Sequence, residues 1–194
     1  MASGGNFSKV LEVLVASDFI VRYQPFGSDQ RTTRYKLTDS FCQFYLRFID
    51  GKGVTDELSW LHNQNMPQLN AWRVLAFEQL CFAHASKIKK ALGVEGVTSR
   101  ESSWIVRGDG EKAGAQTDML IVRDDRVVNL CEMKFLSREF EPNKDDEQTL
   151  RMRVTMLQEQ LSFKQTVRMT LVTTVGLKQN AHSGIVQYVV TIDS

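Results

Sequence analysis

Two acidic residues and a lysine on neighbouring strand-like segments are the side chains of this sequence best placed to do chemistry. Asp118 begins one apolar run, and Glu132 and Lys134 alternate with Cys131 and Met133 in the next. Side chains of a strand point alternately to its two faces, so Glu132 and Lys134 share one face and the apolar pair shares the other. A charge inside an apolar strand costs free energy unless a counter-charge accompanies it. The pattern therefore indicates a site.

The turn at 123–126 predicts a hairpin that brings Asp118 opposite the strand of Glu132. Two carboxylates there can converge on a hard divalent ion, and magnesium fits best because it prefers oxygen ligands and keeps several waters. A third acid, Glu78, falls within the apolar stripe of a helix. Bound metal lowers the pKa of an attacking water, and Lys134 would orient or deprotonate that water or neutralise a phosphate, as in a metal-dependent phosphodiesterase.

Plainer interpretations of the same residues stay open. Glu132 and Lys134 can form an ion pair on an edge strand, which contributes about 0 to 1 kcal/mol. Glu78 can be a solvated acid on a partly exposed helix, and an acid that begins a strand, like Asp118, is common.

The elements that must position these residues follow from hydrophobic periodicity. Helical spacing covers 68–92 and 145–163, and strand-like runs lie between and after these helices, at 104–106, 118–122, 127–133, 169–175 and 185–192. The order is helix, three strands, helix, two strands. It predicts an α/β (α+β) fold with a mixed central sheet flanked by helices on both faces.

The N-terminal part reads as a separate, smaller unit. A helix over 6–16 precedes two short strands around an exposed turn at 25–30, and a further helix, capped by Thr38-Asp39, runs from 41 to 48. Helix, strand, basic turn and strand form a winged-helix pattern, and its cations could meet phosphates: Arg31, Arg34 and Lys36. A merely solvated hairpin is the alternative. The predicted organisation is a partial winged helix with a docking helix over 1–50, a linker over 51–67 and the main domain over 68–194.

Composition narrows the function classes. Lys+Arg 24 against Asp+Glu 23 gives a net charge of +1 in 194 residues, so there is no bulk electrostatic case for coating nucleic acid or an anionic membrane. The three cysteines, Cys42, Cys81 and Cys131, lie far apart in apolar surroundings and indicate no disulfide framework. No segment has the length of a membrane helix, and no secretory leader is evident, so we expect a cytoplasmic protein without a membrane partner.

Several common chemistries lack their motifs. The sequence has no phosphate loop ending in Gly-Lys-Ser/Thr, no dinucleotide fingerprint and no Gly-x-Ser-x-Gly elbow. The three histidines are far apart and no Cys-x-x-Cys occurs, so a zinc site is not expected.

The run from Gly114 to Asp118, the run from Asn129 to Phe135, and Glu78 upstream together resemble the PD-(D/E)xK nuclease superfamily. More closely, the chain resembles the C-terminal region of archaeal-type AAA ATPases, which also occurs in bacteria and combines a winged helix with a nuclease-like domain. The N-terminal sequence, including Tyr35-Lys36-Leu37-Thr38-Asp39, looks like the last helix and wing of such a winged helix. The resemblance covers nearly the whole chain.

This resemblance implies a restriction-endonuclease-like fold and a Mg²⁺ (or Mn²⁺) cofactor. Thr117-Asp118 replaces the Pro-Asp pair of the superfamily, which leaves the metal-ligand role of the aspartate intact. The implied metal ligands are Glu78, Asp118, Glu132 and the Met133 carbonyl, and the implied catalytic residues are Asp118, Glu132 and Lys134. The helix over 145–163 lines the substrate side in such folds, and the candidate phosphate contacts there are Lys144, Arg151, Arg153 and Lys164, with simple solvent exposure of each as the alternative.

Two functions from different classes follow. The first is a magnesium-dependent DNA endonuclease that an ATPase and a winged helix deliver to its substrate. The second is a catalytically inactive module that binds DNA or a partner protein and regulates the ATPase. The ATPase domain is absent from this chain, which therefore looks like a fragment of a larger protein, and the oligomeric state stays open.

Overall fold

The protein is described here from a computed structural model, which covers residues 4–28, 33–51, 58–62, 64–108, 114–162 and 164–193. The chain forms two compact units, 1–24 with 28–72 and 25–27 with 73–194. No helix within the described ranges is long and apolar enough to cross a membrane.

The first unit contains the first helix and the two short strands in the order that the sequence predicts. Its described elements are α1 (Gly4–Ala16), β1 (Ile20–Tyr23), β2 (Arg34–Leu37), α2 (Ser40–Phe48) and α3 (Ser59–His62). β1 and β2 pair antiparallel. Asp39 caps α2, as predicted, because its side chain accepts a hydrogen bond from the Cys42 N–H. Phe44 and Phe48 pack edge-on against Trp72, with ring centroids 5.5 and 6.0 Å away.

The start of the predicted exposed turn is not exposed. Pro25 is buried and belongs, with Phe26 and Gly27, to the second unit. The Phe26 N–H donates to the Ser103 carbonyl at 2.7 Å, and its ring packs against the core of that unit. The expectation of exposure over 25–30 is therefore wrong for Pro25 and Phe26, because an apolar side chain at a turn still gains by burial, whereas Gly27 is exposed as expected.

The second unit is a mixed sheet between helices, which confirms the predicted layout. Within the described ranges, five strands lie in the order β3-β4-β5-β6-β7. β3, β4 and β5 are antiparallel neighbours, whereas β6 runs parallel to β5 and β7 parallel to β6. The bounds are β3 (Ser99–Val106), β4 (Ala115–Arg123), β5 (Val127–Lys134), β6 (Thr166–Thr173) and β7 (Tyr188–Thr191).

Each face of the sheet has its own core. One face packs under α4 (Pro67–Ala83) and α5 (Ala85–Ala91), where Cys131 and Met133 of β5 are buried. The other packs under α6 (Lys144–Gln160), where Leu130 of β5 meets Leu150 and Leu157 of the helix. The alternation of β5 therefore sends neighbouring residues to opposite cores, as the sequence predicts.

The single helix predicted over 68–92 is divided in two at His84. The Lys87 N–H bonds the His84 carbonyl at 2.9 Å, three residues back, so the turn is tighter than in an α-helix. α5 then ends before Gly93, whose φ of 68° suits a residue without a side chain.

Substitution of a β5 core residue tests this two-sided packing. Leu130 is fully buried, so Leu130→Ala should lower the free energy of unfolding by about 2 to 5 kcal/mol through lost contacts and a cavity. Leu75→Ala is the matched control, since that leucine is 45% exposed on α4 and should cost less than about 1 kcal/mol. Urea unfolding measures both, and equal losses would contradict the described core.

Candidate functional site

Asp118 lies at an irregularity in β4. The pairing of β3 with β4 shifts register between Ser102 and Trp104, so that Asp118 and Met119 of β4 share the single β3 residue Ser103. Such a bulge bends a strand and redirects a side chain, and bulges are common beside active sites. The Asp118 side chain can therefore leave the regular alternation of its strand.

The hairpin predicted between β4 and β5 is present. Met119 pairs with Cys131, so the next position along brings Asp118 level with Glu132. The Asp118 carboxylate, through Oδ2, accepts a hydrogen bond from the Met133 N–H at 2.9 Å. The carbonyl of a strand residue points to the same side as its N–H, so the Met133 carbonyl also projects toward β4 and Asp118.

Glu132 is the most buried of these charges. Only 7% of the residue is exposed, and Oε1 lies 3.1 Å from the Nζ of Lys134. The other oxygen, Oε2, accepts a hydrogen bond from an Nη1 donor of Arg153 on α6. Two cations thus offset one carboxylate that would otherwise be costly to bury.

A pocket of about 250 Å³ opens beside this ion-pair cluster. Lys134 is about a third exposed there, and its Nζ lies 5.5 Å from the ring centroid of Phe140. The first turn of α6 forms the opposite wall with Asp145 and Asp146. Asn143 fixes that turn, because its side chain accepts from the N–H groups of both aspartates.

The carboxyl group of Asp118 is electrostatically unfavourable in its ionised form. Burial raises its pKa above the ordinary value, and the nearby Glu132 carboxylate raises it further. The Met133 N–H and the charges of Arg153 and Lys134 oppose this shift without cancelling it. Adjacent carboxylates of this kind favour a proton or a cation near Asp118.

Arg153 is the site residue whose role sequence reasoning missed. The resemblance implies a phosphate contact, whereas the side chain reaches the buried carboxylate of Glu132. The signal was present, because Arg153 lies three residues after Leu150 and four before Leu157, which are the buried positions of α6. An arginine on that stripe faces the sheet and needs a buried acid.

Glu78 is half-buried on α4, near Cys81. Burial raises the pKa of the Cys81 thiol to about 12, and the charges of Asp118 and Glu78 add to the shift. Both carboxylates therefore act on one thiol. Among the described residues, however, no three His, Cys, Asp or Glu side chains come together in a way that could hold a metal ion.

The predicted phosphate contacts belong to different elements of the two units. Arg34 and Lys36 lie on β2, Lys144 begins α6, and Arg31 lies outside the described residues. Arg151 is 58% exposed and bonds Glu147, four residues earlier on α6. The same Glu147 carboxylate meets Nδ1 of His182 at 2.7 Å, and these two hydrogen bonds, that of His182 first, lower its pKa.

Two arginines of α6 provide a matched test of the buried cluster. Among the described residues, Arg153→Met leaves Glu132 with Lys134 as its remaining ion-pair partner and should lower the free energy of unfolding by about 1 to 3 kcal/mol. Arg151→Met removes an exposed pair and should cost less than about 1 kcal/mol. Urea unfolding measures the free energy of unfolding of both variants. Equal losses of stability would contradict the role of Arg153 in offsetting the buried Glu132 charge.

The raised pKa of Asp118 predicts a pH-dependent gain from Asp118→Asn. A folded-state pKa above the unfolded value contributes stability that is present at low pH and is lost as pH rises through the folded pKa. The asparagine avoids that loss and still offers an oxygen to the Met133 N–H. Thermal unfolding should show the variant more stable than the wild type at pH 7, with the difference shrinking toward the ordinary aspartate value of 3.8. A less stable variant at pH 7 would contradict this.

Known proteins share little detectable similarity with this chain. No family model matches the chain, and no curated protein matches it. One similar solved structure is the crystal structure of a protein of unknown function, AF1548, with 15% sequence identity and a TM-score of 0.38. The alignment covers 55% of each chain, so this chain spans about half the length of that protein. A likeness at this TM-score carries no argument about fold family or function.

Proposed function

We propose that residues 68–194 form a metal-dependent nuclease domain of restriction-endonuclease-like fold, which hydrolyses phosphodiester bonds in DNA. The observation that carries the proposal is the proximity of two carboxylates, on Asp118 and Glu132, in largely buried surroundings with Lys134 beside them. Two neighbouring ionised carboxylates repel each other and so destabilise the folded protein. Such a pair is typical of a site that binds a cation rather than of one that only supports the fold.

The donor set suits Mg²⁺ or Mn²⁺. The residues that would hold the ion are Asp118, Glu132 and the Met133 carbonyl, since magnesium is commonly bound by one or two carboxylates together with waters. Glu78 stays the proposed additional ligand from α4. Glu132 would have to exchange at least one of its two cationic partners for the ion. When bound, such an ion polarises a phosphoryl oxygen and lowers the pKa of an attacking water.

The side chains of the chain itself have distinct roles in this scheme. Lys134, which lines the pocket, would as an ammonium orient the attacking water or neutralise the phosphate; alternatively, as a neutral amine, it would take the proton of that water at Nζ. The Asp118 carboxylate stays fixed through the Met133 N–H. Arg153 positions Glu132 from α6 and does not need to touch the substrate.

The proposal extends to partners through the N-terminal unit. Arg34 and Lys36 lie on β2 of the helix-strand-strand arrangement, which we propose is a partial winged helix that binds DNA. The resemblance to the C-terminal region of archaeal-type AAA ATPases makes an ATPase domain the proposed partner and the cytoplasm the proposed location. Arg31, Lys144 and Arg151 stay candidate phosphate contacts.

The ion pairs of Glu132 favour the second candidate function, a catalytically inactive binding or regulatory module. Both oxygens of that carboxylate already have cationic partners, so its charge is offset without any metal. In this alternative the cluster is a structural connection between β5 and α6, and the domain binds DNA or a partner protein.

A cleavage assay with matched variants tests the nuclease proposal. Plasmid, branched and single-stranded DNA are incubated with Mg²⁺ or Mn²⁺ and either the wild type, Asp118→Asn or Glu132→Gln. Each variant removes one proposed ligand charge and should lose at least about a hundredfold in cleavage rate. Glu159→Gln removes an exposed acid of α6 and should cleave like the wild type.

Equal cleavage by all four proteins would reveal a contaminating nuclease and defeat the proposal. Binding of DNA without cleavage, in the presence of an ATPase domain supplied in trans, would instead support the inactive module.

A further inference from the structure

A second concave surface lies at the opposite end of the sheet from the two carboxylates. It encloses about 510 Å³ where β3 begins, β4 ends and the chain enters β6. We call it the basic concavity, after the four cations that line it: Arg100, Arg123, Arg126 and Lys164.

The basic concavity is separate from the candidate active site. Its wall reaches the turn before Val127, at the start of β5, whereas Glu132 and Lys134 lie at the other end of that strand. The five residue-to-residue steps of strand from Val127 to Glu132 span roughly 17 Å. Of the residues that the structure describes, none lines both pockets.

Its charge is unusual for this protein. The described lining residues include four cations and one acid, Asp124, in a chain whose net charge is only +1. Arg123 is held in place by Asp125, from Nε at 3.0 Å, and reaches Asn129 at 3.4 Å. Arg100, Arg126 and Lys164 are exposed at the mouth.

The backbone at Arg126 is a second, independent observation. Its φ is 69°, in the left-handed region where glycine or asparagine is the less costly residue. The three-residue connection between β4 and β5 commonly requires such a residue at this position. An arginine there costs backbone free energy, and its side chain lines the basic concavity.

An unused polar atom lies in the same wall. Within the part of the chain that the structure describes, the buried Ser99 Oγ has no hydrogen-bond partner. A buried hydroxyl without a partner is destabilising, and a hydrogen bond from it to a bound phosphate oxygen would offset that cost.

We propose that the basic concavity binds the phosphodiester backbone of a nucleic-acid strand. The cations come from β3, from the end of β4 and the turn after it, and from the segment before β6, so they can meet successive phosphates of a strand, whereas a single small anion would be held by convergent donors. The site does not depend on the proposed cleavage, because binding here needs neither a metal ion nor the Asp118 carboxylate.

Fluorescence anisotropy with a labelled single-stranded oligonucleotide, in EDTA and over a salt series, tests this proposal. The triple variant Arg100→Gln, Arg126→Asn and Lys164→Gln should bind at least about tenfold more weakly at low salt, and its salt slope should fall by about two. Lys87→Gln, Lys90→Gln and Lys178→Gln together remove the same charge from other exposed positions and should keep the wild-type slope.

A single substitution separates binding from folding. Arg126→Asn should keep or raise the melting temperature, because asparagine tolerates this φ better, and should still weaken oligonucleotide binding. Unchanged binding in the triple variant, or an equal loss in the control, would overturn the proposal. Tripolyphosphate that binds as tightly as the oligonucleotide would overturn the assignment to a strand. EDTA prevents metal-dependent cleavage, so this assay measures binding alone. A failure of the nuclease proposal would therefore not change the expected binding result.

Discussion

The Glu132 carboxylate is almost completely buried, and the arrangement of the second unit around it follows from the need to offset its charge. Lys134, two residues along β5, reaches one oxygen, and Arg153 reaches the other from α6. The second contact requires the helix to present an arginine within its apolar stripe, next to Leu150 and Leu157. The packing of α6 on the sheet and the neutralisation of Glu132 therefore depend on the same face of the helix.

The Glu132 carboxylate also makes the ionised form of Asp118 unfavourable. Burial and this second negative charge both raise the pKa of Asp118. A fold selected for stability alone would not place these acids side by side at a β-bulge. The opposite end of the sheet carries a comparable cost, because Arg126 occupies a left-handed backbone position. Both sites keep charged side chains where a less costly residue would stabilise the protein, and that is the physical basis of the functions proposed for them.

The sequence was sufficient to predict the elements and their faces. Periodicity predicted the order of helices and strands in the second unit, and the alternation of β5 correctly placed Cys131 and Met133 in the core of one face and Glu132 and Lys134 on the opposite face, where they line a pocket. The helix break at His84 could not be predicted, because no glycine or proline marks it. Burial of Pro25 could not be predicted either, since turn residues are usually exposed. The Arg153 contact depends on how α6 is placed over the sheet, which is a tertiary fact that helical spacing only suggests.

The coupling between Asp118 and Glu132 is the central claim, and an NMR titration of the Asp118 carboxyl carbon measures it most directly. In metal-free wild-type protein, its pKa should lie above the ordinary aspartate value, and in Glu132→Gln it should fall, because one of the two causes of the rise is removed. An Asp118 pKa at or below the ordinary value in the wild type, or one unchanged by Glu132→Gln, would contradict a coupled pair of carboxylates at this site.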